Sequence, residues 1–287
     1  MHPHRLLALV SLSFGGLYAA AAPAHAQGLV WNLPEDGTWV RYEGTYTQRD
    51  VKAQLIQGAE PVRWDKEIYI KSVGQETAEF QEYDGSKQTV SCRWIEIKSR
   101  TGILRDGEID PGPAGQQIYK VLIPEHKIAA MQIDERGGTV DDRGIPVSHI
   151  PIVRGYRQVG ENPPEALTTN ALQTYPFLAL IQQYRTLQRQ SNQPEDAGII
   201  LEDSAVTAVR YRGEHTMENL VSRSTSEAEL WLSDDVPFGL ARWSVKVARQ
   251  AKDKAAPRSQ FVNASTFEEE MRVQSTGDGA QSELAVP

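Results

Sequence analysis

Apolar and polar residues alternate with a period of two over many stretches of the chain, the pattern of half-buried β-strands. Residues 38–48 read TWVRYEGTYTQ, which puts Val40, Tyr42 and Tyr46 on one face and Trp39, Arg41, Glu43 and Thr45 on the other. Further strands are predicted at Glu67–Val73, Thr77–Tyr83, Gln88–Ser99 and Gln116–Ile123. Asp84-Gly85 marks a hairpin turn between the second and third of these. Within Gln88–Ser99 the inward candidates are Val90, Cys92, Trp94 or Ile95, and Ile97. Short polar turns between the runs predict an antiparallel meander. The pattern returns in the last third, at Ala205–Gly213, Glu227–Ser233, Gly239–Ala248 and Ser259–Val273, where Ala241, Trp243, Val245 and Val247 share a face.

The middle follows a different pattern. Residues 141–160 are rich in Gly, Pro and Arg and read as irregular chain with one strand at Ser148–Val153. Asn162 followed by Pro163, Pro164 and Glu165 reads as a capped helix start. From Thr174 to Arg189, Phe177, Leu180 or Ile181, Tyr184 and Leu187 recur at helical spacing, and Pro176 falls in the first turn, where it is tolerated. Strands, a helical insertion at about 162–190, then strands again make an antiparallel α+β architecture, mainly β. The residues from Gln274 onward are small and polar and predict a disordered tail, so one β-rich domain is expected over 27–273.

The N-terminus changes the picture. Arg5, an apolar stretch from Leu6 to Ala22 and then Ala24-His25-Ala26 make a secretory signal peptide over 1–26, cleaved before Gln27. The chain is then periplasmic or secreted. No other apolar run is long enough for an integral membrane span. A single cysteine, Cys92, forms no internal disulfide, builds no zinc site and lies too far downstream to carry a lipid anchor. A formal charge of −8 argues against nucleic acid as a partner.

Catalytic chemistry is sparse. The nucleophile elbow, zincin, phosphate-loop and dinucleotide signatures are absent. Only His126, His149 and His215 remain after the signal is removed. Glu214, His215 and Glu218 form one local cluster, read first as a solvated turn. Asp141-Asp142 and Asp234-Asp235 read as turn chemistry. Cys92 reads as a buried, inert thiol, and Asn263-Ala264-Ser265 is a glycosylation sequon. No catalytic residue, metal ligand or cofactor is assigned. The tryptophans fall mostly on strands, where they either fill the core or line a ligand cavity.

Residues 227–247 read EAELWLSDDVPFGLARWSVKV. Trp231, Leu232, Ser233, Asp235, Pro237, Gly239 and Leu240 fit a hairpin pattern, with Pro and Gly setting the turn. This stretch resembles the late strand pair of periplasmic lipoprotein-carrier proteins of the LolA/LolB type. The resemblance implies a curved antiparallel sheet, a half-barrel, with the helical insertion as its lid and an apolar cavity that binds acyl chains. Trp94, Trp231, Phe238, Trp243, Phe177 and Tyr184 are then the cavity candidates. The family's ligand-contacting arginine is not matched to a residue of this sequence, so no lipid-binding residue is carried over.

Three readings stay open. The first is an exported, soluble, non-catalytic protein that binds a lipid or another apolar small molecule. The second is a cell-envelope interaction or structural module with a protein partner. The third is a hydrolase using His149 or His215 with nearby carboxylates.

Overall fold

In a computed structural model the described residues are 29–50, 60–82, 84–129, 132–133, 139–140, 151–168, 187–191 and 193–286. The first half carries β1 (Trp39–Asp50), β2 (Val62–Gln81), β3 (Lys87–Arg105), β4 (Glu108–Asp110), β5 (Gln116–Pro124), a short helix α1 (Glu125–Ala129), β6 (Gln132–Ile133), β7 (Thr139–Val140), β8 (Arg154–Val159) and β9 (Glu165–Ala166). The second half carries β10 (Gln188–Arg189), β11 (Glu195–Leu201), β12 (Ser204–Glu218), β13 (Ser222–Leu232), β14 (Leu240–Ala251) and β15 (Val262–Gly277).

Thirteen of these strands form one antiparallel sheet in the order β10-β12-β13-β14-β15-β1-β2-β3-β5-β8-β9, with β11 beside β12 and β4 beside β3. The sheet has two ends and does not close into a barrel. Its curvature is plain at one end, where β11 pairs with β12 and also touches β14 and β15, two and three strands further on. The first and last long strands, β1 and β15, pair with each other at the centre, from Trp39 opposite Gly277 to Asp50 opposite Ser265.

The alternation in the sequence decides which face is buried. Val40 and Tyr42 on β1, Ile68 and Ile70 on β2, Ile95 and Ile97 on β3, Leu230 on β13, Trp243 and Val245 on β14, and Met271 and Val273 on β15 form one core cluster on the concave face. Each such side chain contributes about 1.5–3 kcal/mol on leaving water. Two predicted strands, Glu67–Val73 and Thr77–Tyr83, are halves of the single strand β2. The register shifts between Ser72 and Gln75, where Gly74 takes a φ of 130°. A bulge of this kind bends a strand without ending it.

The expected helix at Asn162 is not formed. Glu165 and Ala166 pair with Arg157 and Tyr156 as β9, and the Leu167 amide donates to the Gly155 carbonyl at 2.8 Å. Each residue that precedes a proline is pushed from the helical region toward extended backbone, and Asn162-Pro163-Pro164 has two such steps. Gln188 and Arg189, expected at a helix end, instead pair with Arg212 and Tyr211. The rest of the expected lid, including Phe177 and Tyr184, lies outside the described residues, as does the expected signal segment.

The expected disordered tail is likewise placed against the fold. β15 runs on to Gly277 because Trp39 is there to pair with it. Beyond it the chain crosses the convex face. The buried Glu96 carboxylate accepts from Ser282 Oγ at 2.7 Å and from the Glu283 and Leu284 amides at 3.0 and 3.2 Å. Glu283 itself bonds Lys71 and, at 2.6 Å, Lys98, and Leu284 is buried. No helix among the described residues is long and apolar enough to cross a membrane.

Candidate functional site

Along the concave face of β1 and β2 the inward positions are Val40, Tyr42, Gly44 and Tyr46, set against Ile70, Ile68, Lys66 and Trp64. The buried core occupies the first two steps. At the third, the face turns polar: the Lys66 ammonium bonds the Glu269 carboxylate, and both side chains are fully buried. The other oxygen of Glu269 accepts from the Trp243 indole at 2.9 Å. Trp243 packs edge-on against Tyr42 with ring centroids 5.0 Å apart, and burial raises the Tyr42 hydroxyl above its ordinary range.

At the fourth step the face turns aromatic again. Tyr46 lies 5.5 Å from the Trp64 ring and 6.4 Å from the Phe267 ring, and Arg249 stands 4.7 Å over Phe267. These three rings are only half-buried, although they share the face of the core. They form an aromatic ladder over β2, β1 and β15 at the mouth of the sheet. The sequence pattern puts Tyr46 with Val40 and Tyr42. It misses Trp64 because the predicted strand begins at Glu67, and Phe267 because its strand is read without a face.

The expected cavity tryptophans do not converge. Trp243 is core. Trp94 is on the convex face, with Tyr156 stacked at 6.5 Å and Lys120 and Arg154 over its ring at 5.4 and 5.3 Å. Trp231 is also turned outward, between Arg210 at 5.3 Å and Arg242 at 4.8 Å. Both rings sit on the face opposite the core, each with two cation stems over it, and neither meets the aromatic ladder. Phe238 is fully buried in the turn Val236–Gly239, with a φ of 65° that a bulky residue rarely adopts.

A hollow lies beside that turn. It measures about 460 Å³ and is lined by Trp31, Asn32, Thr207, Tyr211, Asp234 and Asp235 among others. Its two carboxylates and two aromatic rings suit a polar ligand better than an acyl chain. Another hollow of about 600 Å³, on the convex face, has Arg41, Glu67 and Arg100 in its wall, already paired at 2.9 and 3.5 Å.

The titratable groups singled out in the sequence stay apart. Glu214 pairs with Glu227 and His215 with the buried Ser226, so neighbours in sequence face opposite ways. Glu218 is held by Arg223 and Arg258 at 2.9 and 2.7 Å. His126 contacts Glu82 at 3.1 Å, remote from β12. His149 and Asp141-Asp142 lie outside the described residues. Burial raises the Cys92 thiol, the wrong direction for a nucleophile, and the thiol donates to the Val90 carbonyl at 3.6 Å. No group of three metal-ligating side chains occurs among the described residues. In comparison with known proteins, no family model matches the chain and no curated protein matches it.

Proposed function

We propose that the chain is an exported, non-catalytic protein that holds a lipid or another apolar ligand on the concave face of its open sheet. The observation that carries this reading is the ladder of Tyr46, Trp64 and Phe267, three aromatic rings on the core face that the core leaves half-covered. Large apolar side chains gain most when they are covered, and an apolar ligand laid on them would complete the burial. The hairpin at Trp231–Leu240, which resembles that of lipoprotein carriers, and the secretory N-terminus support the same reading. The envelope-module reading has less behind it. The strands at the two ends of the sheet, β9 and β10, are only two residues long.

The test is uptake of a fluorescent fatty-acid analogue by delipidated protein. Uptake is expected, with energy transfer from tryptophan, and Trp64→Ala and Phe267→Ala are expected to weaken it at least about tenfold, two buried rings being worth more than that. Asp235→Asn, in the separate hollow, is the control expected to leave it unchanged. A folded, monodisperse sample that takes up nothing would remove the reading.

A further inference from the structure

The open end of the sheet is built differently from the rest of the surface. Ser222 pairs with Ala251 and Ala251 with Val262, so the tip of the β12–β13 hairpin, the end of β14 and the start of β15 stand level. The Lys252 amide donates to the Val221 carbonyl at 3.0 Å and ties the first two of these together. Exposed aliphatic side chains crowd this end: Met217, Leu220, Val221 and Val262, the last of them 65% exposed. Leu220 and Val221 do not hang on a slack loop. The Asn219 carboxamide oxygen accepts from the Val221 and Ser222 amides at 3.0 and 2.8 Å, which fixes the turn that presents them.

Charge at this end runs against the whole chain. Among the described residues of the β12–β15 tips, Arg223, Arg249, Lys252, Lys254 and Arg258 stand with Glu218 and Asp253, a local charge of +3 in a chain of −8. The described ends of β1 and β2 add Arg49 and Arg63 against Asp50 and Glu60 and leave that balance unchanged. Both arginines that reach Glu218 share its one negative charge.

From this combination we infer that the open end of the sheet docks on the surface of a bilayer containing anionic lipid, with Leu220, Val221 and Val262 entering the acyl boundary. Lysine and arginine around them meet the headgroups, the division of labour that holds interfacial segments on membranes. A protein partner fits less well. Protein interfaces centre on aromatic and arginine anchors in packed pockets. Here Phe261, the aromatic residue beside the hairpin tip, is already covered by Arg223 at 4.4 Å and Lys252 at 5.5 Å. The docking goes beyond the ligand reading above and does not depend on it.

The experiment is vesicle flotation of the full secreted chain, using phosphatidylcholine alone or mixed with phosphatidylglycerol. Binding is expected to the mixed vesicles, weaker to the neutral ones, and lost between about 0.05 and 0.5 M salt as the charges are screened. Lys252→Glu with Lys254→Glu is expected to weaken binding at least about tenfold, and Leu220→Ser with Val221→Ser to weaken it at any salt. Leu220, Val221 and Lys254 are exposed and Lys252 is half-buried, and unchanged thermal unfolding confirms that the variants fold. Equal binding to both vesicle types, or parent-like binding by both double variants, overturns the inference. Fatty-acid uptake measured without vesicles separates the two proposals. Lost docking with intact uptake removes only this one, and lost uptake with intact docking removes only the ligand reading.

Discussion

Lys66 on β2 and Glu269 on β15 form a buried ion pair across an intervening strand. β1 lies between them, and its inward residue opposite Lys66 is Gly44. With no side chain there, the lysine stem passes over β1 to the carboxylate. A Cβ on Gly44 would also fall 1.8 Å from the Glu270 carbonyl oxygen and 2.7 Å from the Met271 sulfur. The three residues are therefore one device: the glycine lets β15 approach and lets the pair form.

Removing one partner of this pair leaves a fully buried charge without its ion partner. Lys66→Met and Glu269→Gln are each expected to cost about 3–5 kcal/mol. The double variant should recover much of that, because neither charge then remains and the carboxamide oxygen that replaces the carboxylate still accepts from the Trp243 indole. Urea unfolding of the four proteins closes the cycle. A double variant as unstable as the sum of the singles would mean that the charges do not depend on each other.

The C-terminal segment should detach on acidification. Burial pushes the Glu283 carboxyl up, but the bonds from Lys71 and Lys98 outweigh it and hold the group below its ordinary value of 4.5. A carboxyl depressed in the folded state adds stability that is present above its unfolded value and is lost as pH falls through the folded one. Carboxypeptidase digestion should therefore be slow at neutral pH and accelerate only below about 4.5, the unfolded reference. Glu283→Gln should digest faster at neutral pH and show a weaker acid dependence. A wild-type rate that does not change with acid, after correction for the protease, would show that these bonds do not hold the segment.

Much of the sheet was legible because alternation is a local signal with a physical cause: successive side chains on a strand point to opposite faces. That placed Val40, Tyr42, Ala241, Trp243, Val245 and Val247 inward. Asn162-Pro163-Pro164-Glu165 misled because the capping pattern and the restriction before proline point in opposite directions, and the pairing of Glu165 with Arg157 decided the outcome. The C-terminal segment misled because its composition is polar, while the partners that hold it are Glu96, Lys71 and Lys98 on two distant strands. The same holds for the ladder and the Lys66–Glu269 pair. Their members are spread over strands that become neighbours only when the first and last long strands meet, and no local pattern carries that information.

Phe238 offers the sharpest test of the turn that closes the β13–β14 hairpin. Its backbone is left-handed, at a φ of 65°, and its ring is fully buried. The Trp31 amide donates to its carbonyl at 2.8 Å, so the N-terminal segment is fastened to the same turn. Two effects compete on truncation. Losing the buried ring costs about 3–5 kcal/mol. Replacing a side-chain-bearing residue by glycine at positive φ returns about 1–2 kcal/mol. Phe238→Gly therefore remains destabilising, because burial is the larger effect. Phe238→Ala loses the same ring and keeps the strain, so it should be less stable than Phe238→Gly by about 1 kcal/mol. That order is the reverse of the one found in ordinary strand positions, where glycine is the worse residue. Urea midpoints of the two variants measure it directly. Alanine equal to or above glycine would show that the turn relaxes out of the left-handed region once the ring no longer pins it.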